Sequence, residues 1–516
     1  MAMEQLLRML LTIPEVSALV RAGGRGECPA AVTGLGPVHR AQAAAALALE
    51  TGRPLVMVCA DEGEAGRLGE DLRNLTGEEP LKLFARELFV KAGTVISRQW
   101  EHRRIASLYA LTQGRGRVVV ATCEGLLQKT TPPEKLGAAA LRLAVGERLD
   151  LTALPGRLVA AGYTRCDQVE GVGQFALRGG ILDVFSPMMD QPVRCEFFDD
   201  EIDSLGEFDT ATQRRTANLE EALLLPALEL LPGADLASCF DYLPPDALVC
   251  LGETGRLTER VKAVLWQARE DTESLLAGGE KDGDLTRLLL SQGEWLEALG
   301  RFPLCMMDAL PTSRYPLAPR TLLSVGAKQL SAYGGSVETA AGDLQHYLSA
   351  GYAALLLCGN QTRCRNMQRM LQERGIAAAL DFDCREMPRP GQARISAGAL
   401  SAGAEYPQIS LAVLTEGQLT AAVAGKRPAR HGGGDSRRKL LSYTDLTVGD
   451  LVVHTHHGVG RFEGIRKMPV DGVEKDYIKI AYAGGDSLYV PATQLDMVSK
   501  YIGGGGGEED GRPVKL

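Results

Sequence analysis

A chain of 516 residues is too long for one hydrophobic core and implies several domains. Apolar residues at 45% and charged residues at 23% supply real cores and exclude wholesale disorder. The net charge of −9 excludes a protein that coats nucleic acid by bulk electrostatics, so any DNA contact needs a local basic patch.

From the N-terminus, MAMEQLLRMLLTIPEV reads as an apolar helix carrying Glu4 and Arg8, without a signal-peptide cleavage pattern. No run of about eighteen apolar residues follows anywhere, so no membrane span is expected. The eleven cysteines run from Cys28 to Cys384 without a C-x-x-C pair, which reads as free thiols in a reducing, cytoplasmic setting. Residues 30–150 alternate apolar strands such as PLVMVCA (54–60) and RVVVATC (117–123) with amphipathic helices, as in a parallel sheet covered on both faces.

At 151–213 the pattern changes to short strands, QFALRG, ILDVFSP and PVRCEFF, which predict an antiparallel β-rich module inserted into the α/β domain. Residues 214–324 are expected to complete that first domain, and 325–422 to form a second, small α/β domain around the strand YAALLLC. The stretch 423–440 contains KRPARHGGGDSRRK, with six Lys/Arg against one Asp, and reads as a flexible basic linker. A compact all-β segment (441–502) and a glycine-rich flexible tail (503–516) follow. The fold class is therefore multidomain α/β with an antiparallel insertion and a small C-terminal β-barrel.

Catalytic chemistry is sought first at Ala31-Val-Thr-Gly-Leu-Gly-Pro-Val38, glycines opening a helix as in a phosphate-binding loop. A working loop ends in Gly-Lys-Ser/Thr. Here Gly34 and Gly36 are followed by Pro37 and Val38, which supply neither an ammonium nor a Mg²⁺ ligand. His39 and Arg40 are cationic but sit further along the helix. Asp61-Glu62 follows an apolar strand, yet it leads directly into a helix and reads as a cap. His454, His456 and His457 lack a third ligand group, so no metal site and no catalytic residue is expected.

Three stretches carry a family resemblance. GYTRCDQVEGVGQFALRGGILDVFSP and PVRCEFFDDEIDSLGEFDTATQR (162–214) resemble the UvrA-docking domain of the nucleotide excision repair protein UvrB. VTGLGPVHRA resembles the UvrB phosphate loop in degenerate form. TVGDLVVHTHHGVGRFEGIRKM, continuing to DYIKIAYAGGDSLYVPATQL, resembles the CarD-type RNA-polymerase-interacting domain, an SH3/Tudor-like barrel. Their combination in this order is similar to the N-terminal half of the transcription-repair coupling factors (the Mfd family).

The resemblance implies an adaptor, joining UvrA to the β subunit of RNA polymerase. The family's ATP- and Mg²⁺-dependent DNA translocase domains are expected to lie outside this chain, which then needs no cofactor and reaches DNA only weakly, through the linker. The implied UvrA face comprises Arg165, Arg178, Arg194 and Glu196. Three arginines stand against ten acids between residues 165 and 208, so pairing of each arginine with a neighbouring acid is the competing reading. The UvrB pattern carries a further arginine where this chain has Ala176, and Phe185 is expected in the core. The implied polymerase contact is strand addition along Ile465, Arg466, Lys467 and Met468. Against it stands internal packing of Met468. Two other readings are a UvrB-type nucleotide-dependent helicase, opposed by Pro37-Val38, and a CarD-type transcription regulator whose front half is structural.

Overall fold

The parallel sheet forms where the sequence is most uniformly apolar. The computed structural model describes residues 3–88, 99–187, 189–231, 235–277, 284–312, 314–330, 337–419, 437–439, 450–454, 458–470, 473–481, 487–491 and 498–501. These divide into two compact units, 1–425 and 426–516, taken separately below.

In the first unit seven strands pair in the order Thr321–Ser324, Ala30–Thr33, Leu304–Met307, Leu248–Gly252, Leu55–Cys59, Val118–Thr122 and Leu81–Leu83, all in parallel. Alternate residues of these strands enter different cores: Met57, Val120 and Cys250 pack on one face, Val56, Val119 and Val249 on the other. Burial on both faces explains the unbroken apolar runs.

The inserted module is larger than its strand signals suggest. Six strands order as Arg215–Leu219, Glu201–Phe208, Val193–Phe198, Ile181–Val184, Gln174–Arg178 and Thr164–Arg165, antiparallel except for the last pair. A ribbon of Leu141–Ala144 with Glu221–Leu224 and the helix Leu154–Ala160 share its core. The boundaries 151–213 are therefore corrected outward at both ends. Arg215–Leu219 is exposed along almost its whole length and carries no alternating apolar signal, so only its pairing with Glu201–Phe208 reveals it.

The segment leaving the module is held by charge. Glu229 is fully buried and accepts from Arg86 at 2.6 Å and Arg104 at 2.9 Å, while Arg104 also donates to the Phe84 carbonyl at 2.7 Å. Burial pushes the Glu229 carboxyl up, but Arg104 and Arg86 more than offset this and hold it below its ordinary range.

The small α/β domain has a mixed sheet ordered Lys328–Leu330, Gly403–Tyr406, Leu411–Thr415, Ala353–Cys358, Ala393–Ala397 and Ala378–Leu380. One face of it merges with the first domain: Leu355, Tyr406 and Val413 belong to the same core as Leu7, Val38 and Leu72. Polar contacts cross the same seam. Tyr406 donates to Gln42 at 2.5 Å, Ser401 donates through N and Oγ to Asp71 at 2.6 and 2.5 Å, and His39 meets the Tyr406 ring edge-on at 5.3 Å. Burial lowers the His39 imidazole to about 4 and raises the Asp71 carboxyl to about 6.

In the second unit six strands form an antiparallel sheet ordered Arg437–Lys439, Val498–Tyr501, Leu451–His454, Gly458–Val470, Val473–Ala481 and Ser487–Pro491. Arg437–Lys439 is thus a strand rather than the end of a linker. Its pairing with Val498–Tyr501 takes up backbone groups that a charge-rich sequence gives no reason to place in a sheet. The expected small β-rich domain is thus present as a six-stranded sheet; among the described residues its two outer strands do not pair with each other.

Replacing Glu229 by Gln leaves two buried guanidiniums without their counter-charge and should cost about 3–5 kcal/mol, read as a lower urea midpoint. The lowered His39 pKa means the fold keeps this imidazole neutral. Its contribution is complete above the unfolded pKa near 6.5 and is lost as pH falls toward about 4. Between pH 7 and 5 the parent should therefore lose about 2 kcal/mol more stability than His39→Phe, measured as the difference of the two urea midpoints at each pH.

Candidate docking surfaces

The glycine loop at the C-terminal end of the parallel sheet comes first, because a nucleotide would sit there. Gly34 has φ +85°, and a Cβ there would lie 2.0 Å from the Val325 carbonyl oxygen. Its N–H donates to Ala309 O at 3.3 Å and that of Leu35 to Asp308 O at 3.1 Å, so the groups that would cradle a phosphate are spent on backbone. The helix Pro37–Thr51 then turns Arg40 inward, 2% exposed, where it pairs with Glu64 at 2.9 Å and with Glu253.

Glu253, in the left-handed region at φ +55°, also accepts from Ala309 N at 3.2 Å. Asp308 accepts from Thr254 N at 2.7 Å, and burial raises its carboxyl above the ordinary range. The place of a triphosphate holds a paired guanidinium among carboxylates. Pro37 and Val38 announce the loss of the two mechanistic side chains. Arg40, Glu64 and Glu253, which fill the gap, escape sequence reading because they come from three distant segments. Asp61 accepts from Glu64 N at 2.8 Å as the cap of Glu62–Thr76.

On the module sheet, register places Ala176, Asp183 and Arg194 side by side, with Arg178, Ile181 and Glu196 in the next row of the same face. The opposite face carries Phe175, Leu182, Val184 and Val193 into the core. Arg165 shares the register position of Phe175 instead. It lies exposed at the sheet edge, outside the row of Arg178 and Arg194, with no ion-pair partner among the described residues.

Arg194 is not available to a partner. It grips Asp183, itself 1% exposed, through Nε at 2.7 Å and Nη2 at 2.9 Å, donates to Gln213 O at 3.0 Å and stacks 4.6 Å from the Phe208 ring centre. The Asp183 hydrogen bond raises the Arg194 pKa further. Arg178 also reaches Asp183, at 3.0 Å, but remains 53% exposed. Glu196 accepts from Ser204 at 2.7 Å and faces Arg215 at 3.6 Å. Ala176 packs with Val169 and Phe208, and Phe185 is half-buried against that cluster. Of the three arginines implied by the resemblance, Arg178 remains open and Arg165 is open on a different edge.

In the terminal sheet, Gly458–Val470 is thirteen residues long. Its Gly458–Arg461 end pairs with Leu451–His454, and Arg461–Val470 pairs with Val473–Ala481. Ile465, Arg466, Lys467 and Met468 thus oppose Ile478, Tyr477, Asp476 and Lys475 along one edge, while their other edge has no strand partner among the described residues. The side chains of these four, and His456 and His457 altogether, lie outside the described residues.

Residues 141–230 match the UvrB interaction domain, and residues 446–502 match the CarD-like/TRCF RID domain. Over 537 residues the chain is 28% identical to the transcription-repair-coupling factor of Bacillus subtilis, and over 536 residues 27% identical to that of Staphylococcus aureus. Each alignment covers 92% of this chain. Its similarity is to the N-terminal part of the transcription-repair-coupling factors. The chain spans 45% of the length of these curated relatives. The UvrB interaction domain match at 141–230 begins at the first strand of the folded module and ends one residue past Glu229, so it covers the ribbon and the buried tether as well as the six-stranded sheet. Among the described residues no helix is long and apolar enough to cross a membrane.

The two arginines on Asp183 should separate on mutation. Arg194→Ala strips a buried carboxylate of its main partner and should lower stability by about 3 kcal/mol or more. Arg178→Ala removes a largely exposed partner and should change stability by less than about 1 kcal/mol. Urea unfolding of the two variants side by side tests this.

Proposed function

We propose that this chain is the adaptor portion of a transcription-repair-coupling factor, holding RNA polymerase through the terminal sheet and recruiting UvrA through the inserted module. One observation carries the reading: a UvrB interaction domain and a CarD-like/TRCF RID domain occur in a single chain. The edge beside Ile465–Met468, without a strand partner among the described residues, supports strand addition by the polymerase β subunit through its backbone donors and acceptors. The half-exposed Arg178, held in place by Asp183, supports a charge-assisted contact to an acidic residue of UvrA.

The filled crevice around Arg40 speaks against nucleotide binding by this chain, and so against a helicase of the UvrB type. In this reading the chain itself uses no cofactor and is not an enzyme. ATP-driven translocation on DNA belongs to other parts of a whole coupling factor, and the setting is the bacterial cytoplasm.

Affinity capture from bacterial lysate tests the proposal with three baits: the parent chain, Arg178→Glu and Met468→Arg. The parent should retain both UvrA and polymerase β, and each substitution should release one partner and keep the other. Recovery of polymerase alone by the parent would favour the transcription-regulator reading, and recovery of neither would end the adaptor proposal for this chain.

A further inference from the structure

A groove of about 890 Å³ lies on the first domain, lined by none of the residues of the glycine loop or of the module face described above. Its size is within the roughly 300–1,000 Å³ of ligand sites. The floor is apolar: Val264, Leu285 and Leu289 are buried beneath it, and Leu228 and Leu288 are half-buried along it. Trp266, on the helix Thr254–Ala277, stands at its side 59% exposed. A large aromatic left this open beside an apolar floor is the composition of a protein-binding patch.

Among the described residues the unmatched charges on its rim are acidic. The two cations that line the groove are already matched, Arg260 by Glu124 at 2.5 Å and Arg86 by the buried Glu229 at 2.6 Å. Glu62, Glu87, Glu101 and Asp271 line it with no cation in ion-pair contact among the described residues. Burial together with the charges of Glu124 and Asp61 raises the Glu62 carboxyl above its ordinary range. Such a rim repels phosphodiester backbones and attracts basic side chains.

We propose that this groove docks a basic amphipathic segment of a partner protein, with its apolar side chains against Trp266 and Leu289 and its Lys/Arg side chains against Glu62, Glu87 and Asp271. Apolar contact supplies affinity, and the acids select the partner and its orientation.

The probe is a fluorescein-labelled synthetic helix with Leu on one face and Arg on the other, titrated into the whole chain and followed by anisotropy. Saturable binding is expected, weakened at least about tenfold by Trp266→Ala and, independently, by the charge reversals Glu87→Lys and Asp271→Lys. All three positions are exposed or half-exposed, so the variants should fold. Absence of saturable binding would overturn the proposal. So would equal binding of a peptide with the same residues scrambled to abolish the apolar face, affinities unmoved by the substitutions, or displacement of the peptide by duplex DNA.

Discussion

The way the β-rich module is carried on the first domain depends on one buried carboxylate, Glu229. The module of residues 141–224 is joined to the parallel-sheet domain by two strands of chain, and a joint of that kind is free to swing unless something fixes it. Arg86 and Arg104 come from the first domain, Glu229 from the segment leaving the module, and all three are buried. An ion pair in such a place adds little to stability relative to well-packed apolar groups, but it is intolerant of displacement, because any shift strands a charge without solvent. Orientation of the docking sheet is thus bound to the integrity of the core.

The same exchange of chemistry for rigidity occurs at the glycine loop. The parallel sheet retains the layout in which nucleotides bind, with helices starting at the C-terminal ends of its strands. What has changed is the occupant. A guanidinium from the helix that would receive the phosphates bridges Glu64 and Glu253, and backbone carbonyls take the loop N–H groups. Three segments distant in sequence are thereby tied to one another. The seam to the small α/β domain, built on Tyr406, Gln42, Ser401 and Asp71, extends the rigid body further.

The docking proposed for this chain uses three surfaces: on the first unit a sheet face where Asp183 holds Arg178 and the acid-rimmed groove at Trp266, and, on the second unit taken by itself, the strand edge beside Ile465–Met468. Each uses a different interaction, namely charge-assisted hydrogen bonding, backbone pairing and apolar contact, so each can respond to a different partner without competition for the same residues.

The sequence by itself determined the layer structure and the family. Runs such as PLVMVCA and YAALLLC can only be strands buried on both faces, and the loss of Lys and Ser/Thr after Gly36 is visible without coordinates. The family-bearing stretches near residues 162–214 and 446–502 are contiguous and therefore legible. Tertiary structure alone decided which charged residues are free. Arg165, Arg178 and Arg194 are alike on paper, yet register puts Arg194 against Asp183, leaves Arg178 half-open and sends Arg165 to another edge. Arg40 meets Glu253 across 213 residues, and Arg104 meets Glu229 across 125. Burial of an apolar run is a local property that periodicity records. The pairing of a charge depends on which distant segment folding brings within about 3 Å, and no spacing along the chain encodes that.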